Sequence, residues 1–271
     1  MLTKVLITVK TYPTISTKYE ELVCTAGFRE DGTWIRIYPI RFRQKPFAEQ
    51  YRKYEWIEID LEKNEQDFRP ESYRPRSLDA EIKIIGNIPP DGESWRERRA
   101  IVLKKVYTDL TALIAEAKDK TIRTSLAVFK PKEILSVEVE ETEREWSKEK
   151  LDALRQCNIF ESASPTTKSQ VVRKLPYKFS YSFLDEKNRK ATLMIEDWEL
   201  GQLYWNCLAR HEGDENRACR DVKEKYFDDL AKTKDLFLFL GTTKQYHFVA
   251  PNPFVVIGTF YPKPETQFSL F

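Results

Sequence analysis

The chain has 271 residues, of which 41% are hydrophobic and 32% charged, and its 45 Lys and Arg against 43 Asp and Glu leave a net charge of +2. That length and apolar content support one large domain or two small ones with a proper core, and they exclude a disordered chain. The charge balance excludes a uniformly polycationic binder of polyanions but leaves room for local basic patches. No apolar run approaches the ~20 residues of a membrane helix, and the opening MLTKVLITVKTYP is too short in apolar residues for a signal peptide. Cys24, Cys157, Cys207 and Cys219 form no CxxC pair, and His211 and His247 are the only histidines. Neither a disulfide partner nor a metal or other cofactor is expected, and unpaired thiols suit a cytoplasmic setting.

Residues 4–10 alternate Val5, Ile7 and Val9 with Leu6 and Thr8, which suits a buried first strand. Residues 21–28 and 33–38 flank Arg29-Glu30-Asp31-Gly32, a hairpin signal because Gly accepts the positive φ of a tight turn. On the second strand Trp34, Arg36 and Tyr38 share one face, and Ile35 and Ile37 the other. Residues 55–61 and 79–86 are further strands, separated by the polar stretch NEQDFRPESYRPRS, which reads as a loop. Over 106–118 the period changes, with Val106, Leu110, Leu113, Ile114 and Ala117 on one helical face. Residues 125–139 return to strand character. A charged segment then passes into one rich in Ser and Thr, the pattern of an exposed helix and linker. A long hairpin follows, turning near Glu186-Lys187-Asn188. Asp197 caps a helix marked by Leu200, Leu203, Tyr204, Cys207 and Leu208, and Ala218, Val222, Tyr226 and Leu230 mark another. Two apolar strands around a polar turn end the pattern.

Short strands with a helix among them fit a small Greek-key barrel of the OB type, and equally a single large α+β domain. The strings KTYPTISTKYEELVCTAGFREDGTWIRIYPIRFR, SWRERR, SLAVFKP, VVRKLPYKFSYSF, MIEDWELGQLYWNC and LGTTKQYHFVAPNPFVVIGTFYP span almost the whole chain. They resemble a bacterial family described as having a dual OB-fold domain. The resemblance implies an α+β, β-rich fold of two OB-like small barrels with inserted helices, and a nucleic-acid role. The expected organisation is an OB-like domain over 1–140, a charged helix and linker over 141–170, an OB-like domain with helices over 171–264, and an exposed tail over 265–271.

Catalytic signatures fail one by one. Gly27 and Gly32 have phosphate-loop spacing, but Thr33 and Trp34 follow where Lys and Ser or Thr are needed. Asp91 with Glu116 and Lys118 mimics a metal-nuclease pattern, yet residues two apart on a helix point in different directions. No catalytic residue is assigned. The informative residues are basic and aromatic. Arg29, Arg41 and Arg43 accompany Trp34, Arg36 and Tyr38. Arg96, Arg98 and Arg99 form a second basic group, and Arg173, Lys174, Tyr177 and Lys178 a third. Single-strand binders combine flat rings for bases with cations for the backbone. These thirteen residues are the candidate nucleic-acid surface, and loss of Arg36 and Arg41 is expected to weaken binding with the fold intact.

The chain ends Gln267-Phe268-Ser269-Leu270-Phe271. This resembles the QLSLF-type peptide by which bacterial polymerases and repair proteins bind the replication sliding clamp, with Phe268 in place of the usual Leu. An amide sets the register of such a peptide, and Leu and Phe fill an apolar pocket. The expected function is therefore binding of single-stranded or irregular nucleic acid, with recruitment to replication or repair through the clamp. The alternatives from other classes are a metal-dependent nuclease or nucleic-acid-processing enzyme with an unrecognised acidic site and a non-catalytic protein-interaction adaptor.

Overall fold

Burial of the first strand on both faces organises the chain. In β1 (Leu2–Lys10), every side chain from Val5 to Val9 is buried. Val5 and Ile7 point into one core and Leu6 and Val9 into another, with a bulge between Ile7 and Val9. The computed structural model describes residues 1–16, 20–92, 94–149, 151–152 and 172–264. The fold is α+β and β-rich, built on OB-like small barrels.

The first barrel uses β1, β3 (Glu20–Phe28), β4 (Trp34–Ile40), β5 (Glu55–Lys63) and β6 (Ser72–Pro75). They close in the order β1-β3-β4-β6-β5 and back to β1; only β4 and β6 run parallel. This is the five-strand Greek-key ring of an OB barrel. The short β2 (Thr14–Ser16) extends β3, and β7 (Lys83–Asn87) borders β5. The Asp31-Gly32 hairpin forms as the sequence indicates, with Gly32 at φ +82. β6, which closes the ring, lies in the stretch that reads as loop.

The helices α1 (Arg96–Val102) and α2 (Leu110–Lys118) flank the short β8 (Val106–Tyr107) and precede the second barrel. There β9 (Leu126–Phe129) and β10 (Glu133–Glu141) act as one strand bent at Lys130-Pro131-Lys132. β10 pairs with β11 (Tyr177–Leu184) and β11 with β12 (Lys190–Met194). A parallel bridge between Ile195 and Val256 leads to β14 (Phe254–Phe260), which pairs with β13 (Phe237–Thr242), and β13 returns to β9. The ring order of the first barrel is thus repeated, one parallel contact included. Between its third and fourth strands lie α3 (Trp198–Arg210), capped by Asp197 on the Glu199 amide, α4 (Glu215–Lys223) and a π-helical turn (Glu224–Ala231). Residues 126–140, grouped by sequence with the N-terminal unit, pair with strands of the second half. Much of the expected 141–170 linker and all of 265–271 lie outside the described residues.

The two barrels share a seam. Leu6, Val9, Ala26 and Phe28 of the first meet Val128, Phe239, Ile257 and Phe260 of the second in one apolar cluster. Trp34 is part of it: its ring centroid lies 3.9 Å from Phe28 and 5.5 Å from Phe239. Such ring pairs contribute about 0.5–1.5 kcal/mol beyond area burial. Gly258 permits the approach, because a Cβ there would sit 3.4 Å from Val9 and 3.2 Å from Phe239.

A polar network crosses the same seam. Arg36 is 3% exposed. It donates to Ser125 Oγ at 2.7 Å, the Ser125 carbonyl at 3.0 Å and Ser72 Oγ at 3.3 Å. Glu71 accepts from the Ser125 amide and hydroxyl. Arg69 pairs with Asp67 at 2.6 Å and donates to the Thr242 carbonyl. Burial opposes the Asp67 charge, but Arg69 holds its carboxyl down at about 2. At the other end, Lys53 bridges Asp197 at 3.0 Å and Glu199 at 2.8 Å.

Arg36 therefore corrects the sequence reading: it joins the barrels and does not face solvent. Removing one member of a buried ionic network costs about 3–5 kcal/mol. Arg36→Ala is expected to lower stability by an amount in that range in urea unfolding, while Arg96→Ala, at an exposed position, changes it by less than about 0.5 kcal/mol.

Candidate functional site

The residues nominated from sequence do not assemble into one face. Trp34 and Arg36 are in the seam. Tyr38 is 37% exposed, at the far end of β4. Arg29 donates to the Trp34 carbonyl and lies 4.8 Å above the Tyr73 ring. Arg41 and Arg43 flank Phe42 in the turn after β4, Arg41 half-buried and Arg43 exposed. Arg98 is buried, donates to the Ile88 carbonyl and stacks 3.8 Å over Tyr54. Arg99 pairs with Asp235 at 2.9 Å, whereas Arg96 is exposed. Arg173 is exposed and lies 3.7 Å over Trp205. Lys174 pairs with Glu143, Lys178 with Glu140, and the Tyr177 hydroxyl donates to Glu215. Most of these cations are engaged by groups of the same chain. Asp91 and Glu116 also act locally: Asp91 accepts from the Arg96 amide, and Glu116 from Tyr107 and Thr124.

A different set of residues does converge. In each barrel a loop joins the fourth and fifth strands, 64–71 in the first and 243–253 in the second. The seam brings these loops into contact. Phe68 stacks on Phe248 with centroids 4.8 Å apart and planes at 28°. Lys244 donates to the Gln66 carbonyl, and Arg69 reaches the Thr242 carbonyl. Beside the stack, Tyr246 is 52% exposed, Phe248 41% and Val249 78%. Large apolar patches exposed on a protein surface mark interaction sites, and these three side chains of one loop are the starting point for such a patch. In OB barrels this loop is one of those that take oligonucleotides or oligosaccharides.

His247 fixes the loop from beneath. It is fully buried, with Nδ1 2.7 Å from Thr242 Oγ1 and Nε2 2.7 Å from the Ala117 carbonyl at the end of α2. A carbonyl can only accept, so Nε2 carries the proton and Nδ1 accepts from Thr242. Burial, with Arg69 and Arg36 adding to it, lowers the His247 pKa below its usual 6.5, so the ring is neutral at pH 7. The sequence reading passed over this cluster because both loops read as polar connectors. The available signal was three successive ring-bearing residues, Tyr246, His247 and Phe248, inside a turn.

The unfolded chain takes up the His247 proton below about pH 6.5, while the folded one resists it. Stability linked to His247 is therefore present above that pH and lost as pH falls below it. The melting temperature is expected to drop more steeply between pH 6.5 and 5 in the native chain than in His247→Gln. Half-buried Glu196, whose pKa is raised by desolvation, acts in the opposite sense; the difference between the two proteins cancels it. Equal slopes would show that His247 is not held neutral.

Residues 1–104 match the family model described as Domain of unknown function (DUF8758), and residues 107–271 match Domain of unknown function (DUF8757). The junction lies just ahead of β8, so β9 and β10 fall within the second model. A search of curated proteins finds no match. Among the described residues, no helix is long and apolar enough to cross a membrane.

Proposed function

The chain belongs to the DUF8757 family and carries a DUF8758 domain ahead of it, and from this premise we propose that it binds single-stranded nucleic acid at the lip formed by its two fourth-to-fifth-strand loops. The observation that carries the reading is the Phe68–Phe248 stack across the barrels, with exposed Tyr246 beside it. A flat ring in water is a platform for an unpaired base, whatever the base, because every base has a π face. A duplex keeps its base faces stacked inside, so the lip selects unpaired nucleotides. Anchoring by His247, Arg69 and Lys244 holds the rings in place before binding, which reduces the entropy lost on docking.

Stacking contributes about 1–3 kcal/mol per base, or roughly 5- to 150-fold in affinity. Tyr246→Ala and Phe248→Ala are each expected to weaken binding of a labelled single strand within that range, as read by fluorescence anisotropy, with a duplex of the same sequence binding poorly to all three proteins. Unchanged affinity in both variants would remove the lip from the reading.

The second part of the proposal is recruitment to a bacterial sliding clamp through Gln267, Phe268, Ser269, Leu270 and Phe271, supported by their sequence alone. The peptide TQFSLF titrated into purified clamp is expected to bind in the micromolar range, about −8 kcal/mol. Absence of heat at high micromolar concentration, beside a known clamp peptide as control, would end this part.

A further inference from the structure

The aromatic lip supplies contacts for bases but not for phosphates, since Lys244 is engaged by the Gln66 carbonyl and Arg69 by Asp67. The segment after α2 is the neighbouring element best suited to the missing role. His247 Nε2 donates to the Ala117 carbonyl, which locks the start of this segment against the loop carrying Tyr246 and Phe248. Three cations follow within six residues: Lys118, Lys120 and Arg123. None of them has an ion pair or a side-chain hydrogen bond among the described residues. Lys105, by contrast, meets Glu116, and Lys130 meets Asp235.

The single acid of the segment, Asp119, is exposed and spends its carboxylate on its own loop. Asp119 accepts from the Thr121 amide at 2.7 Å, the Ile122 amide at 3.0 Å and the Thr121 hydroxyl. These bonds shape a tight loop that ends with Arg123 at φ +53, a conformation rare for a residue with a side chain. Backbone outliers of this kind cluster at functional sites. Arg123 Nε and Thr243 Oγ1 are both buried without a hydrogen-bond partner. They belong to the two segments that run side by side where the Thr242 amide donates to the Ser125 carbonyl. Ile122, 49% exposed, lies between the cations.

We infer that residues 118–123 are the phosphate-contacting element of the same site, with Lys118, Lys120 and Arg123 tracking the backbone of a single strand whose bases stack on Tyr246 and Phe248. The inference rests on the proposed nucleic-acid reading and extends it by dividing the site into a base-stacking loop and a phosphate loop. His247 is the positioning residue that sets the distance between them.

The two loops have different salt signatures. Each phosphate contact to a single strand contributes about 0.7 to the slope of log affinity against log salt. A fluorescein-labelled oligothymidylate is titrated over a salt series with four proteins: native, Tyr246→Ala, the triple variant Lys118→Ala/Lys120→Ala/Arg123→Ala, and the double variant Lys118→Glu/Lys120→Glu. The double variant leaves the strained Arg123 in place in case the triple one does not fold. The native protein is expected to show a steep slope. The triple variant should flatten it by about two units, from three contacts of about 0.7 each. The double variant should flatten it and lose affinity most at low salt. Tyr246→Ala should weaken binding at every salt concentration with the slope unchanged. A native slope retained by a folded double or triple variant would overturn this inference and leave the nucleic-acid reading standing. No binding by the native protein would overturn both.

Discussion

Burial of one strand on two sides is the constraint on which the rest of the molecule depends. β1 gives Val5 and Ile7 to the interior of its own barrel and Leu6 and Val9 to the apolar cluster between the barrels. A strand in that position has no face left for solvent, so the barrels form one packed body along it. Gly258 on β14 and the rings of Phe28, Trp34, Phe239 and Phe260 complete the contact. Both barrels have the same strand order, and the seam places their fourth-to-fifth-strand loops in contact. The Phe68–Phe248 stack is part of that contact.

The seam is also where the chain buries its charge. Arg36 and Arg69 lie between the barrels with Asp67 and Glu71, and their donors reach Ser72, Ser125 and Thr242. Apolar contacts alone would tolerate sliding of one sheet over another. A directed network does not, since each lost partner leaves a buried donor or acceptor unsatisfied. The register of the seam, and with it the alignment of the two loops, is therefore tied to this network. Arg36 and Arg69 both donate to the Thr242 carbonyl, at the base of the loop that presents Tyr246.

Much of the fold was legible from the sequence. The alternation in β1, β4 and β5, the Asp31-Gly32 turn, the Asp197 cap and the helical stripe from Leu200 to Leu208 all follow local rules of period and capping. Strand partnership did not. Residues 126–139 look like the last strand of the first half, and only their pairing with β13 and β11 assigns them to the second. β6 was hidden because four residues between prolines and charges carry no period. The candidate site was misread for a related reason. Periodicity separates the two faces of β4 correctly, but it cannot tell a face open to solvent from one covered by a second domain. Trp34 and Arg36 look like a binding platform in one dimension, but in three Arg36 is buried and Trp34 half-buried in the seam. Conversely, Phe68 and Tyr246 stand in stretches without period, where a pattern reader sees only a connector.

The central claim is that the two fourth-to-fifth-strand loops act as one binding surface. Hydrogen–deuterium exchange of the native protein with and without a saturating single strand tests it most directly. The account expects amides in 64–71 and 243–250 to gain protection together, with the same dependence on oligonucleotide concentration. Protection of only one loop, or of a distant surface such as the exposed β7 edge with neither loop changed, would contradict it.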